Sequence, residues 1–172
     1  MRLALVLLFA LLSAATSSAG APLGVGMRVP ALTLADQHGV DGSLGPTTRR
    51  VLFNRDMDSA KIVQEALGDN PTPLLDAAGA VVVSDISGMP SLITKLFALP
   101  AMRKRPYRML LDRDGRMTAD FPFEKGKVTV LSLNDLAIAR VQYVESADAL
   151  RALLHQAAAT PAPAPRSGED AR

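Results

Sequence analysis

No cysteine occurs anywhere in the 172 residues. Thiolate nucleophiles, disulfides and cysteine-linked lipids are therefore excluded, and the fold must be held by packing alone. Tryptophan is absent, and aromatic residues make up only 4% of the chain. There is no aromatic ladder on which single-stranded bases could stack, so no nucleic-acid partner is expected. Neither sign of charge dominates, with 19 Lys and Arg against 17 Asp and Glu. That balance is too even for a general binder of polyanions or membrane surfaces. A glycine-rich nucleotide loop and a Ser-His-Asp signature are also missing, so nothing supports a flavin or nucleotide enzyme and no cofactor is expected.

What is present at the N terminus is one basic residue, Arg2, then an apolar run over residues 3–12, then small residues. This is the layout of a secretory signal peptide over residues 1–19, with cleavage after Ala19; cleavage after Ala21 is disfavoured by Pro22. The apolar run is shorter than the roughly 20 residues of a membrane span, so stable membrane insertion after signal removal is not expected. An uncleaved N-terminal anchor is the alternative. Removal of Arg2 leaves 18 basic against 17 acidic side chains. At the other end, residues 159–172 alternate Ala with Pro and then turn small and charged, which reads as a disordered or polyproline-like tail. The remaining domain, residues 20–158, would sit in the periplasm or outside the cell.

Within it, residues 31–39 read as a short strand closed by a turn at Gly39, and residues 41–48 as a loop. "RRVLFNR" reads as a buried strand, and "AVVVSDI" (80–86) is the clearest strand because its β-branched run suits a pleated sheet. A helix is expected over 58–67, capped by Asp58 or Ser59, with Ile62, Val63, Ala66 and Leu67 on one face and Gly68 as its stop. "PLLDAAG" is ambiguous. "SGMPSLITKLFALP" restarts a helix capped near Ser87, and Pro100 interrupts it or opens a further turn. "YRMLLD" is a strand, and "DRDG" (112–115) a turn rather than a calcium loop, since the remaining ligands are missing. "KVTVLSL" and "AIARVQYV" form a hairpin about Asn134 and Asp135. A last helix starts at Ser146 and buries Ala149, Leu150, Leu153 and Leu154. This order implies an α/β domain: a central mixed sheet with helices on both faces.

Four segments carry a family resemblance. "GMRVPALTLADQHG", "RRVLFNRDMDSAKIV", "PYRMLLDRDGRM" and the closing "VTVLSLNDLAIARVQYVESADALRALL" resemble, in that order, the redoxin form of the thioredoxin fold, over roughly residues 24–156. The chain is most similar to small cysteine-less redoxin-like proteins exported by bacteria. The resemblance implies a reactive thiol just after the strand ending near Arg55, where this chain has Asp56, Met57, Asp58, Ser59 and Ala60. It also implies a cis-proline near 125–127, where there is none; on a shifted alignment Pro106 takes that place, with "YRMLLDRDG" as the hairpin strand. The family's chemistry cannot be carried over. The expected function is a non-catalytic binding or accessory protein of the bacterial periplasm with a periplasmic protein partner. The alternative is an enzyme or carrier with a non-thiol site.

Two candidate sites follow. The loop Asn54, Arg55, Asp56, Met57, Asp58 and Ser59 lies at the carboxyl end of a strand, where open α/β sheets bind ligands. Its carboxylates read first as helix caps. Arg103, Lys104, Arg105 and Arg108, with Arg113 and Arg116 nearby, form a local basic patch that could meet an acidic partner or read as a solvated helix end. Met57 and Met89 offer soft thioethers, but His38 and His155 have no ligand spacing. The methionines read as core filler, and no metal site is expected.

Overall fold

The computed structural model describes residues 21–159; the expected signal peptide and nearly all of the expected tail lie outside them. Five strands form one mixed sheet in the order β5-β4-β3-β6-β7. The central strand is β3, Arg50–Asn54. It runs parallel to β4, Ala80–Asp85, which in turn runs parallel to β5, Met109–Asp112. On its other side β3 pairs antiparallel with β6, Val128–Asn134, and β6 with β7, Ala137–Val144. The β6–β7 turn holds Asp135 and Leu136 at positive φ, 47° and 63°, as a two-residue turn between right-twisted strands demands. No cis peptide bond occurs among the described residues. The shifted alignment about Pro106 is therefore corrected: "YRMLLD" is a parallel edge strand, and the hairpin comes later.

Strict alternation sorts the strand residues onto two faces. Leu52, Val82, Met109 and Val130 point into one apolar cluster, and Val51, Phe53, Val83 and Leu110 into the other. The first cluster is covered by α1 (Met57–Leu67), α2 (Thr72–Ala78) and α5 (Ala147–Ala159). A short composite helix joins them: α3 (Ser91–Ile93), a π-helical turn (Thr94–Ala98) and α4 (Leu99–Arg103). The expected fold class forms. The second face, however, is closed by the N-terminal segment and by Phe121 and Phe123 rather than by a helix. The residues that reach it from 113 to 127 are dominated by turn formers.

The N-terminal hairpin pairs β1, Thr33–Ala35, with β2, Asp41–Ser43, antiparallel. The loop expected over 41–48 thus begins as a strand. Its partners are tertiary: Arg108 Nη2 donates to the carbonyls of Val40 and Asp41 at 3.2 and 2.8 Å. Gly42 passes so near that a Cβ there would meet a Leu110 methyl at 2.7 Å. Gln37 closes the free edge of β5. Its Nε2 donates to the Tyr107 carbonyl at 2.7 Å and its Oε1 accepts from the Met109 N–H at 3.0 Å. A side-chain amide here copies what another strand's backbone would offer, which blocks edge-to-edge pairing.

Helix ends are corrected in detail. The N-cap of α1 is Asp56, not Asp58 or Ser59, in a reciprocal capping box with Ser59. The composite helix has Pro90, not Ser87, at its N-cap. Ser87 instead donates its N–H to Asp85 Oδ1 at 2.9 Å. "PLLDAAG" is helical, as α2. The Ser146 hydroxyl accepts from the Ala149 N–H at 3.3 Å, as a cap for α5 should. Ala149 itself is exposed, and Ala157 joins Leu150 and Leu154 in the buried stripe.

Candidate functional site

Strands β3 and β4 run parallel and end together beside the start of α1, so their last side chains converge on the carboxyl edge of the sheet. Arg55, just past β3, is held from three sides. Its Nε donates to Asp85 Oδ2 at 2.8 Å and its Nη2 to the Thr118 carbonyl at 3.0 Å. The guanidinium also lies 5.5 and 5.3 Å from the centroids of the Phe53 and Phe123 rings. This clamp ties the β3 and β4 ends to the loop before β6. That loop is anchored again by Asp112, whose Oδ2 accepts from the N–H and hydroxyl of Thr118, both at 2.8 Å. "DRDG" is accordingly a turn. Gly115 sits at φ +71°, and a Cβ there would meet Ser87 Oγ at 2.6 Å.

Asp56 is equally committed. Its Oδ1 accepts from the Ser59 N–H and hydroxyl, both at 2.8 Å, and its Oδ2 from the Gly126 N–H at 2.7 Å. A carboxylate offers about four acceptor positions, so little of this one is left for a ligand. Burial pushes the carboxyl pKa up, but the bonds from Gly126, Ser59 and Asp58 outweigh it and hold it below the ordinary 3.8. Ser59 is fully buried beneath the helix start. Met57 and Asp58 stand exposed on the first turn.

Above this edge lies a groove of about 670 Å³ between the first turns of α1 and the composite helix. That is within the roughly 300–1,000 Å³ of small-ligand sites. Its walls are apolar, from Val63, Ile86, Met89, Ile93, Phe97 and Met109. Its floor includes two polar side chains, Asn54 and Ser84, which are register partners across β3 and β4. Asn54 is 5% and Ser84 4% exposed. Neither side chain has a hydrogen-bond partner among the described residues. Their polar atoms are not sealed from solvent and open toward the groove, so water or a small ligand can reach them. The π-helical turn contributes Phe97 and Ala98 to the wall, and π-bulges concentrate at functional sites.

Charge around the groove is largely cancelled. Arg55 pairs with Asp85 at 2.8 Å and Lys61 with Glu65 at 3.7 Å. Arg105, half-buried in the wall, has no ion pair among the described residues. No group of three or more His, Asp or Glu is placed to hold a metal ion among those residues. Met57, Met89, Met102 and Met109 all line the groove, a concentration of flexible thioethers that can mould to apolar shapes.

Five of the six residues singled out in the 54–59 loop therefore line one groove, all but Ser59. The basic segment is divided. Arg103 Nε donates to the Gln37 carbonyl at 3.0 Å, and Arg108 Nε to Asp36 Oδ2 at 2.9 Å, so both brace the N-terminal hairpin. Lys104 is exposed, and Arg105 faces the groove. Arg116 pairs with Asp114 at 2.8 Å. Ser84 and the composite helix were not anticipated as site elements. Two signals were available: a lone serine in the run "AVVVSD", and a helix apolar on every side, whose Leu92, Ile93, Leu96 and Phe97 are exposed. None of the described helices is long and apolar enough to cross a membrane.

No protein-family model matches this chain, and no curated protein matches it. Solved structures do. The peroxidoxin BcpB of Mycobacterium tuberculosis superposes with a TM-score of 0.54 at 19% identity, over 78% of this chain and 95% of that one. The thioredoxin domain of a thiol-disulfide oxidoreductase from Bacteroides vulgatus gives 0.51 at 15%, over 78% and 97%. A peroxiredoxin-like protein from Aquifex aeolicus gives 0.51 at 12%, over 81% and 90%. The fold is thioredoxin-like, in a chain without cysteine.

Proposed function

We propose that this protein is a non-catalytic thioredoxin-like binding module exported to the bacterial periplasm. The signal-peptide layout of residues 1–19 supports the location. The lack of any cysteine excludes thiol exchange and thiol-based peroxide reduction. The observation that carries the reading is the groove itself: an apolar cleft at the carboxyl ends of parallel strands, floored by Asn54 and Ser84. Ligands of open α/β sheets settle at this position. The alternative, an enzyme or carrier working from the 54–59 loop, has less support, because the Arg55 charge is already matched by Asp85 and Asp56 accepts three internal bonds. Met57 and Phe97 at the groove, with Leu92 and Leu96 beside them, are large exposed apolar side chains. They form the surface on which a periplasmic protein partner would meet the module.

The test is a titration with Nile red, an uncharged apolar dye. Its fluorescence should rise and saturate at one equivalent, and Ala98→Trp, which fills the groove, should abolish the rise without unfolding the protein. Insulin-disulfide and peroxide-reduction assays should stay at background. Absence of saturable dye binding, or binding unchanged by Ala98→Trp, contradicts the reading.

A further inference from the structure

The floor and walls of the groove specify more than an apolar cavity. Asn54 offers two donors and an acceptor, and Ser84 one donor with acceptor capacity. They stand side by side at register positions in adjacent parallel strands, both residues more than nine-tenths buried and without a hydrogen-bond partner among the described residues. A head group seated between them should both donate and accept.

Its charge follows from the surroundings. The formal charges nearest the strand ends are already matched, Arg55 by Asp85 and Asp56 by three donors. An ionic head placed on this floor would lose its water and find no free counter-ion beside it, the expensive way to bury a charge. Three charges lining the groove make no ion pair among the described residues, Asp56, Asp58 and Arg105; Asp56 is engaged by its three donors, and the other two, Arg105 and exposed Asp58, are of opposite sign. The groove's volume of about 670 Å³ lies in the small-ligand range.

We propose that the groove binds an uncharged amphipathic small molecule. Its head is a carboxamide, or a carbonyl beside a hydroxyl, held between Asn54 and Ser84. Its apolar body lies against Met89, Ile93 and Phe97. This rests on the binding-module reading and names its ligand class.

The test uses three probes with one chain length and different heads: octanamide, octanoate and octylammonium. Each is titrated as a competitor against bound Nile red. Octanamide should displace the dye at about one-tenth the concentration the two ions need. Asn54→Leu and Ser84→Ala should each remove that preference while the dye still binds. In the unsubstituted protein, saturating octanamide should shift the side-chain amide resonances of Asn54, a readout that stands even if a variant fails to fold. Equal displacement by all three probes, a preference that survives both substitutions, or unmoved Asn54 resonances would each overturn the ligand class while leaving dye binding in the groove intact. Failure of Nile red itself to bind would overturn the module reading and this inference with it.

Discussion

Asn54 and Ser84 sit side by side on β3 and β4, buried at the base of a groove and without hydrogen bonds among the described residues. Side chains that make no hydrogen bond within the fold contribute little to its stability. Asn54→Leu and Ser84→Ala should therefore leave the fold as stable as before, or raise stability by up to about 1 kcal/mol. Urea unfolding checks this. A loss beyond about 1 kcal/mol in either variant would mean the residue holds the sheet together.

The Arg55–Asp85 pair should behave in the opposite way. The Asp85 side chain is 3% exposed and the Arg55 side chain 30%, so removing the cation strands a buried carboxylate. Arg55→Met should destabilise by about 2 kcal/mol, a figure reduced for the partial exposure of the guanidinium. Asp85→Asn should cost less. The double variant should cost less than the sum of the two. Additive losses would show that Arg55 acts through its stacking on Phe53 and Phe123 alone.

Acid should weaken the fold through the carboxylates that accept several bonds. Asp56 is held below 3.8 as described. For Asp36, burial raises the pKa, but bonds from Val40, His38 and Arg108 outweigh it, and its value is lowered too. A lowered folded pKa gives stabilisation that is fully present above the unfolded value and lost as pH falls through the folded one. Melting temperature should be flat above about pH 5 and fall steadily below pH 4. Asp56→Asn should fall less over that range. A loss of stability centred near neutral pH would contradict the assignment.

Gln37 gives a separate test, at the free edge of β5. Gln37→Leu strips both bonds from the edge of β5 and leaves the Tyr107 carbonyl and Met109 N–H buried without partners. The expected loss is about 3 kcal/mol, with concentration-dependent association through the opened edge. Sedimentation of the variant over a range of concentrations would detect it. A variant that stays monomeric and stable would show that water serves this edge equally well.

Elements whose local pattern and burial agree were legible in the sequence. Val81–Val83 could only be a strand, and Val63, Ala66 and Leu67 before Gly68 could only be the buried face of a helix with its stop. Elements decided by distant partners were not. Asp41–Ser43 has no apolar residue to mark it as a strand, and its place is set by Arg108 from 65 or more residues away. Asp56, Asp58 and Ser59 are all acceptable caps. The N–H of Gly126, seventy residues on, engages Asp56. At the site, the loop after β3 could be singled out because strand and helix meet there. The opposite wall could not, because it depends on how the helix over 91–103 lies across the ends of β4 and β5.

The most direct measurement is the ¹H–¹⁵N spectrum of the purified chain on addition of Nile red. Binding in the groove predicts shifts concentrated at Asn54, Ser84, Ile93, Phe97 and Met109, with β1 and β2 unmoved. Shifts confined to β1 and β2, or no shifts at saturating dye, would contradict the account.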